Sequence, residues 1–294
     1  MAEAVVITDV TPRDGLQDAT GFVPLEDKIA LVEGLVSAGF THVEVTSFMH
    51  PLRIPMLSDG DSLVPAVAHL AKHLVALVPN VKGVERAIAA GVPTVMLVAS
   101  ASESHNRANL NRSRRETMVI LAEAAESARS QGLRVHGAIS TAFECPFEGR
   151  VPVADVVEMA QAYQQMGVEA LNFADTLGTA TPAMVKECIR AVRESTDSFA
   201  ALGLHLHDRM GWALANVIMA YELGVRRFES ALGGLGGCPY APGAAGNIDT
   251  EKLVAFFEAQ GIGTGVDLDR LVSVRHSLLK VIAKGLPVPE KGGS

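Results

Sequence analysis

Short runs crowded with apolar and β-branched residues alternate, along the whole chain, with longer stretches whose apolar positions recur at helical spacing. That alternation is the pattern of βα units laid around a parallel sheet. Eight strand-like runs stand out: VVITDV (5–10), HVEVTS (42–47), HLVALVP (73–79), TVMLVAS (94–100), RVHGAIS (134–140), ALNFADT (170–176), ALGLHLHD (201–208) and RRFESAL (226–232). Between them lie amphipathic stretches such as LEDKIALVEGLVSAGF, where Ile29, Leu31, Val32, Leu35 and Val36 form one apolar stripe. Glycine closes several of these stretches, as in AAG, SQG, QMG and ELG, where a helix end favours a residue tolerant of positive φ. Eight such pairs predict an α/β fold, a (β/α)8 TIM barrel over about residues 1–260. A short C-terminal helical extension follows over 261–294, with VDLDRLVSVRHSLLKVIAKGL as a helix and PVPEKGGS as a fraying tail. Residues 1–294 then form a single catalytic domain. A doubly wound open sheet is the alternative, but no GxGxxG follows the first strand.

Composition narrows the partners. At 294 residues and 48% hydrophobic, the chain has ample material for a core. Its net charge is −8 and its only basic cluster is RSRRE at 112–116, so nucleic-acid binding by charge is not expected. The N-terminus lacks a basic leader and no apolar run approaches membrane-spanning length, so no membrane role is expected either. Cys145, Cys188 and Cys238 form neither a CxxC nor a secreted disulfide framework, which suits a reducing cytoplasm.

In a barrel of this kind, chemistry belongs at the C-terminal ends of the strands. The polar residues there are Arg13 and Asp14 in TPRDGLQD, Glu44 and Thr46 on the second strand, and Asn172, Asp175 and Thr176 on the sixth. The seventh carries His205, His207 and Asp208, and the loop GGLGGCPYAPGAAGN after the eighth carries Cys238 and Asn247. Residues two apart on a strand share a face, so His205 and His207 project together into the barrel mouth. They are either a hydrogen-bonded structural pair or two ligands of a divalent metal. Asp14 and Asn247 add oxygens at neighbouring strand ends, and a mixed nitrogen and oxygen set suits octahedral Mg2+ or Mn2+ better than zinc. Arg13 beside Asp14 is either a loop salt bridge or a charged donor placed where an anion develops. Glu44 is either a structural partner of an arginine or an active-site acid. The glycine-rich loop is either a linker or a lid carrying the Cys238 thiol. Cys145, after the fifth strand, is a second thiol in reactive range, whereas Cys188 falls in a helical run and reads as packing. The loop SASESHNRANLNRS after the fourth strand either is simply solvated or holds a phosphorylated ligand through Arg107 and Asn109.

With those residues in view, the chain resembles the 3-hydroxy-3-methylglutaryl-CoA lyases, within a wider set of metal-dependent barrel lyases and Claisen-type enzymes. The resemblance runs from the first strand to about residue 272 and is sharpest at TPRDGLQ, DTLGTATP, HLHDRMGWALAN and GLGGCPYAPGAAGN. It implies Asp14, His205, His207 and Asn247 as metal ligands and Arg13 as the group that stabilises an enolate. It further implies Glu44 and Asp175 as catalytic-site carboxylates, Cys238 as the signature-loop cysteine and a proton donor, and Gln17 beside the site. On this reading Asp14 or His205 would be the base that takes the hydroxyl proton, and Thr176 would join Gln17, Arg107 and Asn109 around the substrate. The implied reaction is retro-Claisen cleavage of 3-hydroxy-3-methylglutaryl-CoA, or a close relative, to acetyl-CoA and acetoacetate, with coenzyme A entering as part of the substrate and a homo-oligomer as a plausible assembly. A condensing synthase, a pyruvate aldolase, and a noncatalytic barrel that binds metal or acyl-CoA are the alternatives. The lining departs from the family pattern: HPLRIPML stands where relatives read SPKWVPQM, and HDRMGWA carries Arg209, Met210 and Trp212 in place of TYGQ.

Overall fold

A computed structural model describes residues 3–196, 201–237 and 246–287. Eight parallel strands close into a barrel: β1 (Val6–Asp9), β2 (His42–Ser47), β3 (Leu74–Leu77), β4 (Thr94–Ser100), β5 (Arg134–Ser140), β6 (Ala170–Asp175), β7 (Ala201–Leu206) and β8 (Arg227–Ser230). Each strand neighbours its predecessor, and β8 returns to β1 from Val6↔Arg227 to Asp9↔Ser230. The open-sheet alternative is thereby excluded. The expected runs 42–47, 94–100 and 134–140 coincide with strands, and the others are shortened by a few residues at their ends.

The period of two along each strand sorts the side chains. Val43, Val45, Val95, Leu97, Val135, Ile139, Leu171, Phe173, Leu202 and Leu204 are buried in the main core, between barrel and helices. A second, smaller apolar cluster of Val75, Met96 and Ala138, flanked by Val98, is separate from that core. Its members alternate with the main-core residues of the same strands, so it fills the barrel interior. Helices including Leu25–Ser37, Val81–Ala90, Arg114–Ser130, Val153–Gln165, Pro182–Ser195, Ala213–Glu222 and Thr250–Ala259 cover the outside. Gly91 ends the second of these at φ 87°, the left-handed cap the sequence anticipates. The added helix Leu268–Ile282 lies across Leu25–Ser37, where a Cβ on Gly34 would fall 2.8 Å from Val274. The expected tail at 288–294 lies outside the described residues. Among the described residues no helix is long and apolar enough to cross a membrane.

Two local irregularities shape the mouth. After β1 the chain makes one wide turn, Thr11–Gly15, in which the Val10 carbonyl accepts N–H groups from Arg13, Asp14 and Gly15. Asp9 fixes its start, accepting the Thr11 N–H at 2.9 Å and the Thr250 hydroxyl at 3.0 Å, while the Thr11 hydroxyl accepts the Leu232 N–H at 2.8 Å. In β2 the register against β3 slips between Glu44 and Thr46. That bulge keeps Glu44 in the barrel mouth while Thr46 turns out against Gly60, whose Cβ would lie 2.7 Å from its hydroxyl.

Candidate active site

The wide turn aims two successive side chains inward. Arg13 donates from Nε to Glu44 Oε2 at 2.7 Å and from a terminal nitrogen to Asp14 Oδ1 at 2.5 Å, so its fork joins the turn to β2. The other oxygen of Asp14, Oδ2, faces His205 Nε2 at 3.9 Å and His207 Nε2 at 3.8 Å, and the two imidazole nitrogens stand 3.3 Å apart. Among the described residues, Asp14, His205 and His207 are the one group of three such side chains whose ligand atoms converge closely enough to hold a metal, and all three are buried. These spacings would let one divalent cation be held by all three side chains.

Asn247 completes the ring. It forms an isolated bridge with His207, and its amide Nδ2 donates to Asp14 Oδ2 at 2.7 Å, while its buried Oδ1 has no hydrogen-bond partner. A half-turn of the amide would set an oxygen against the Asp14 carboxylate, an arrangement that a shared cation favours. The donor set therefore fits a divalent ion: one carboxylate, two imidazoles and an amide oxygen.

Glu229 on β8, paired in register with His205, was not singled out from the sequence. It accepts from His205 Nδ1 at 2.8 Å and, through its other oxygen, from the Asn172 amide. A carboxylate there puts the imidazole proton on Nδ1 and leaves the Nε2 lone pair facing Asp14 and His207. The signal available in the sequence was parity: in a strand entering the barrel at Arg227, Glu229 must share its inward face.

The electrostatics follow from packing three carboxylates around one arginine. Burial pushes Asp14 up, but the Arg13 guanidinium and then the two histidines outweigh it and bring its pKa down to about 2. At Glu44 burial wins, with the charge of Glu229 adding to it against Arg13, and the carboxyl is pushed up to about 7. Burial lowers the His205 pKa, yet its bond to Glu229 and the Asp14 charge hold it above the usual value. Arg13 is also raised, because Glu44 and Asp14 outweigh its own burial.

A cavity of about 160 Å³ opens over these groups. Arg13, Asp14, Gln17, Glu44, Asn109, Thr176, His205 and His207 all line it. Asp175 and Arg107 do not. The Asp175 carboxylate is turned into its own loop, taking N–H groups from Gly178, Thr179 and Ala180 at 2.9–3.2 Å, and burial raises it to about 6 despite them. Arg107 is exposed and pairs with Glu103 one helical turn away. Cys238 lies outside the described residues, although its neighbour Gly237 borders the cavity. Cys145 is buried against the Ser102 hydroxyl, and Cys188 is buried in a helix as its sequence context suggests.

A closed parallel barrel with a carboxylate and two histidines converging at its C-terminal mouth is a metal-binding TIM barrel. The chain belongs to the HMGL-like family, whose pattern matches residues 4–278. It is 38% identical over 284 residues to the hydroxymethylglutaryl-CoA lyase YngG of Bacillus subtilis, covering 96% of this chain and 95% of that protein. It is 37% identical to the human mitochondrial hydroxymethylglutaryl-CoA lyase, covering 96% of this chain and 87% of the human protein. An HMG-CoA lyase of Acinetobacter baumannii, solved in complex with coenzyme A and 3-methylmalate, superposes with a TM-score of 0.91 at 38% identity, covering 99% of this chain and 94% of that one.

Proposed function

We propose that this protein cleaves 3-hydroxy-3-methylglutaryl-CoA to acetyl-CoA and acetoacetate in a divalent-cation-dependent reaction. The observation that carries this reading is the meeting of Asp14 Oδ2, His205 Nε2 and His207 Nε2 beside the Arg13 guanidinium. Asp14, His205, His207 and Asn247 would hold Mg2+ or Mn2+, which supplies Lewis acidity that lowers the pKa of the substrate's C3 hydroxyl.

The chain's own groups then divide the work. Asp14 and His205 are the candidate acceptors for the hydroxyl proton, and its loss drives the C3 carbon to a ketone as the C2–C3 bond breaks. Electron density moves to the thioester oxygen, where Arg13 supplies a fixed positive charge with donors already oriented by Glu44 and Asp14. Glu44 holds the Arg13 fork from β2, and burial keeps its carboxyl above the usual carboxylate range. Cys238, in the loop that begins where Gly237 borders the cavity, is the candidate donor of the proton that C2 takes up. Glu229 and Asn172 act through His205, fixing its ring and tautomer. Gln17, Asn109 and Thr176 line the same cavity and are the candidate contacts for the substrate. Two free, buried thiols, Cys145 and Cys188, support a reducing cytoplasm as the compartment.

The test is product analysis by mass spectrometry on metal-stripped protein given 3-hydroxy-3-methylglutaryl-CoA, with and without added Mg2+ or Mn2+. Acetyl-CoA and acetoacetate that form only with metal support the reading. Intact substrate at saturating metal overturns it.

A further inference from the structure

The end of the barrel opposite the metal-binding group carries a second cluster of polar side chains, which the proposed reaction does not use. Four strands begin there on such a residue: His42 on β2, Thr94 on β4, Arg134 on β5 and Arg227 on β8. The period of two turns all four into the bore. His42 shares a face with Glu44, and Arg227 with Glu229, both of which line the cavity at the mouth. Thr94 shares a face with Met96 of the interior cluster, and Arg134 shares one with His136 and Ala138. Small residues separate the two arginines. Between β8 and β5 lie β7 and β6, whose inward positions at this level are Gly203, Ala201 and Ala170. Gly203 is the register partner of Arg227, and Ala170 pairs with Ala201 on one side and His136 on the other. The wall between the two guanidinium-bearing strands therefore has little side-chain bulk.

The charges of this layer are not balanced. Among the described residues, neither the Arg134 nor the Arg227 side chain makes a hydrogen bond or an ion pair. Glu229 is the carboxylate that acts on Arg227, and its two oxygens are already engaged by His205 and Asn172. Burial lowers the Arg227 pKa, Glu229 opposes that, and the Arg134 charge adds to it. Burial and then the Arg227 charge bring His42 down to about 4 and His136 to about 3, so both rings are neutral at pH 7. The Thr94 hydroxyl, fully buried one strand from Arg134, has no hydrogen-bond partner. Cations drawn partly out of water without a counter-charge are costly, and two of them flanking a gap of small residues favour a bound anion.

We propose that this end of the barrel binds a small tetrahedral oxyanion of the phosphate type between Arg134 and Arg227. The planar guanidinium forks match paired oxygens of such an ion, which has enough acceptors to serve both at once. His42 and His136, as neutral rings, each have a nitrogen-bound proton to donate, and the Thr94 hydroxyl gains an acceptor. Arg134 is exposed and His42 and Arg227 are half-buried, so the ion reaches them from solvent at the foot of the barrel. Once bound, it cancels the repulsion between the two arginines and ties β5 to β8. The site is independent of the lyase chemistry at the other end.

The experiment is calorimetric titration of inorganic phosphate into the Mg2+-loaded full chain, at an ionic strength held constant with sodium chloride. The expected result is a single saturable site with a Kd of about 1 mM or tighter. R134M and R227M should each weaken it by about tenfold or more, the worth of a lost charge-assisted pair. Acetate, which is planar and has only two oxygens, should bind at least about tenfold more weakly than phosphate. R134M changes an exposed position and keeps the test readable should R227M fold poorly. No saturable heat with phosphate in the parent overturns the proposal. Undiminished affinity in both variants overturns it too, by placing the ion elsewhere, as beside Arg53 and Arg112 near the mouth. Acetate bound as tightly as phosphate overturns the choice of a tetrahedral ion.

Discussion

Glu229 Oε2 accepts a hydrogen bond from His205 Nδ1 at 2.8 Å, and the two residues are register partners on adjacent strands. The geometry turns the other nitrogen of the His205 ring, Nε2, towards Asp14 and His207. Replacing Glu229 with Gln keeps the shape but weakens the hold on the imidazole and its basicity. E229Q is expected to bind Mn2+ about tenfold to a hundredfold more weakly than the parent. Isothermal titration calorimetry measures this, and an unchanged affinity removes Glu229 from its positioning role.

A cation that joins Asp14 to the two histidines stabilises the folded state by mass action. At a hundredfold excess over its Kd the gain is about 2.7 kcal/mol, which raises the melting temperature. Added Mn2+ should therefore shift the thermal transition upward and a chelator should reverse the shift. In D14N, which loses the carboxylate of the group, the shift should vanish. A D14N protein that responds to Mn2+ like the parent would place the ion elsewhere.

Arg13 reaches both Glu44 and Asp14 because its guanidinium is forked. Lysine keeps the charge and loses the fork. R13K is expected to lower kcat by about a hundredfold to a thousandfold, as removal of an oriented oxyanion donor does, with a smaller effect on KM. Steady-state kinetics on the thioester separate the two constants, and a defect confined to KM would refute the enolate role.

Asp9 lies outside the cavity and is fully buried at the foot of the Thr11–Gly15 turn. Burial is the main reason that its pKa rises to about 7, against the lowering bonds from Thr11 and Thr250. A carboxyl raised in this way favours the folded state most when protonated. Its contribution is fully present below the unfolded pKa near 4 and is lost as pH rises through 7. The D9N side chain stays neutral throughout. The stability difference between parent and D9N should thus fall by about 1.4 kcal/mol per pH unit between roughly pH 4 and 7, then level off. Urea unfolding across that range measures it, and parallel stability curves would contradict the raised pKa.

Gly236 adopts φ 95°, and a Cβ added there would meet Asn247 Nδ2 at 2.5 Å and the Asp14 carbonyl at 2.9 Å. Both the backbone conformation and the space demand glycine. G236A should push Asn247 off Asp14 and lower Mn2+ affinity by about tenfold or more, a loss of the size that a disturbed ligand shell produces. Calorimetric titration decides it.

What could be read beforehand depended on whether a residue's role is local. His205 and His207 were legible because a period of two is enough to put both on one face. The helix over Leu268–Ile282 was legible in VDLDRLVSVRHSLLKVIAKGL. Glu44 was recognisable as a candidate, but the bulge that separates it from Thr46 leaves no mark in HVEVTS. At Asp175 an acid at a strand end suggests chemistry, and what the sequence does not show is that the following TLGTA turn folds its N–H groups around the carboxylate. Arg107 is four residues from Glu103 on a helix, and that spacing accounts for its ion pair at the surface. Glu229 acts through a partner 24 positions away, so its contact is set by tertiary register that pattern alone does not reveal.

Asp14 and Asn247 are 233 positions apart, yet they touch through the amide at 2.7 Å. A growing chain that has emerged as far as His207 already carries three of the four groups in its covalent structure, but it cannot assemble them until β8 has docked on β1. A centre built from these four groups would thus form only once the barrel is complete. A chain misfolded at the seam would be blind to the cation, and the cation in turn would act as a clasp holding the barrel's first and last staves together.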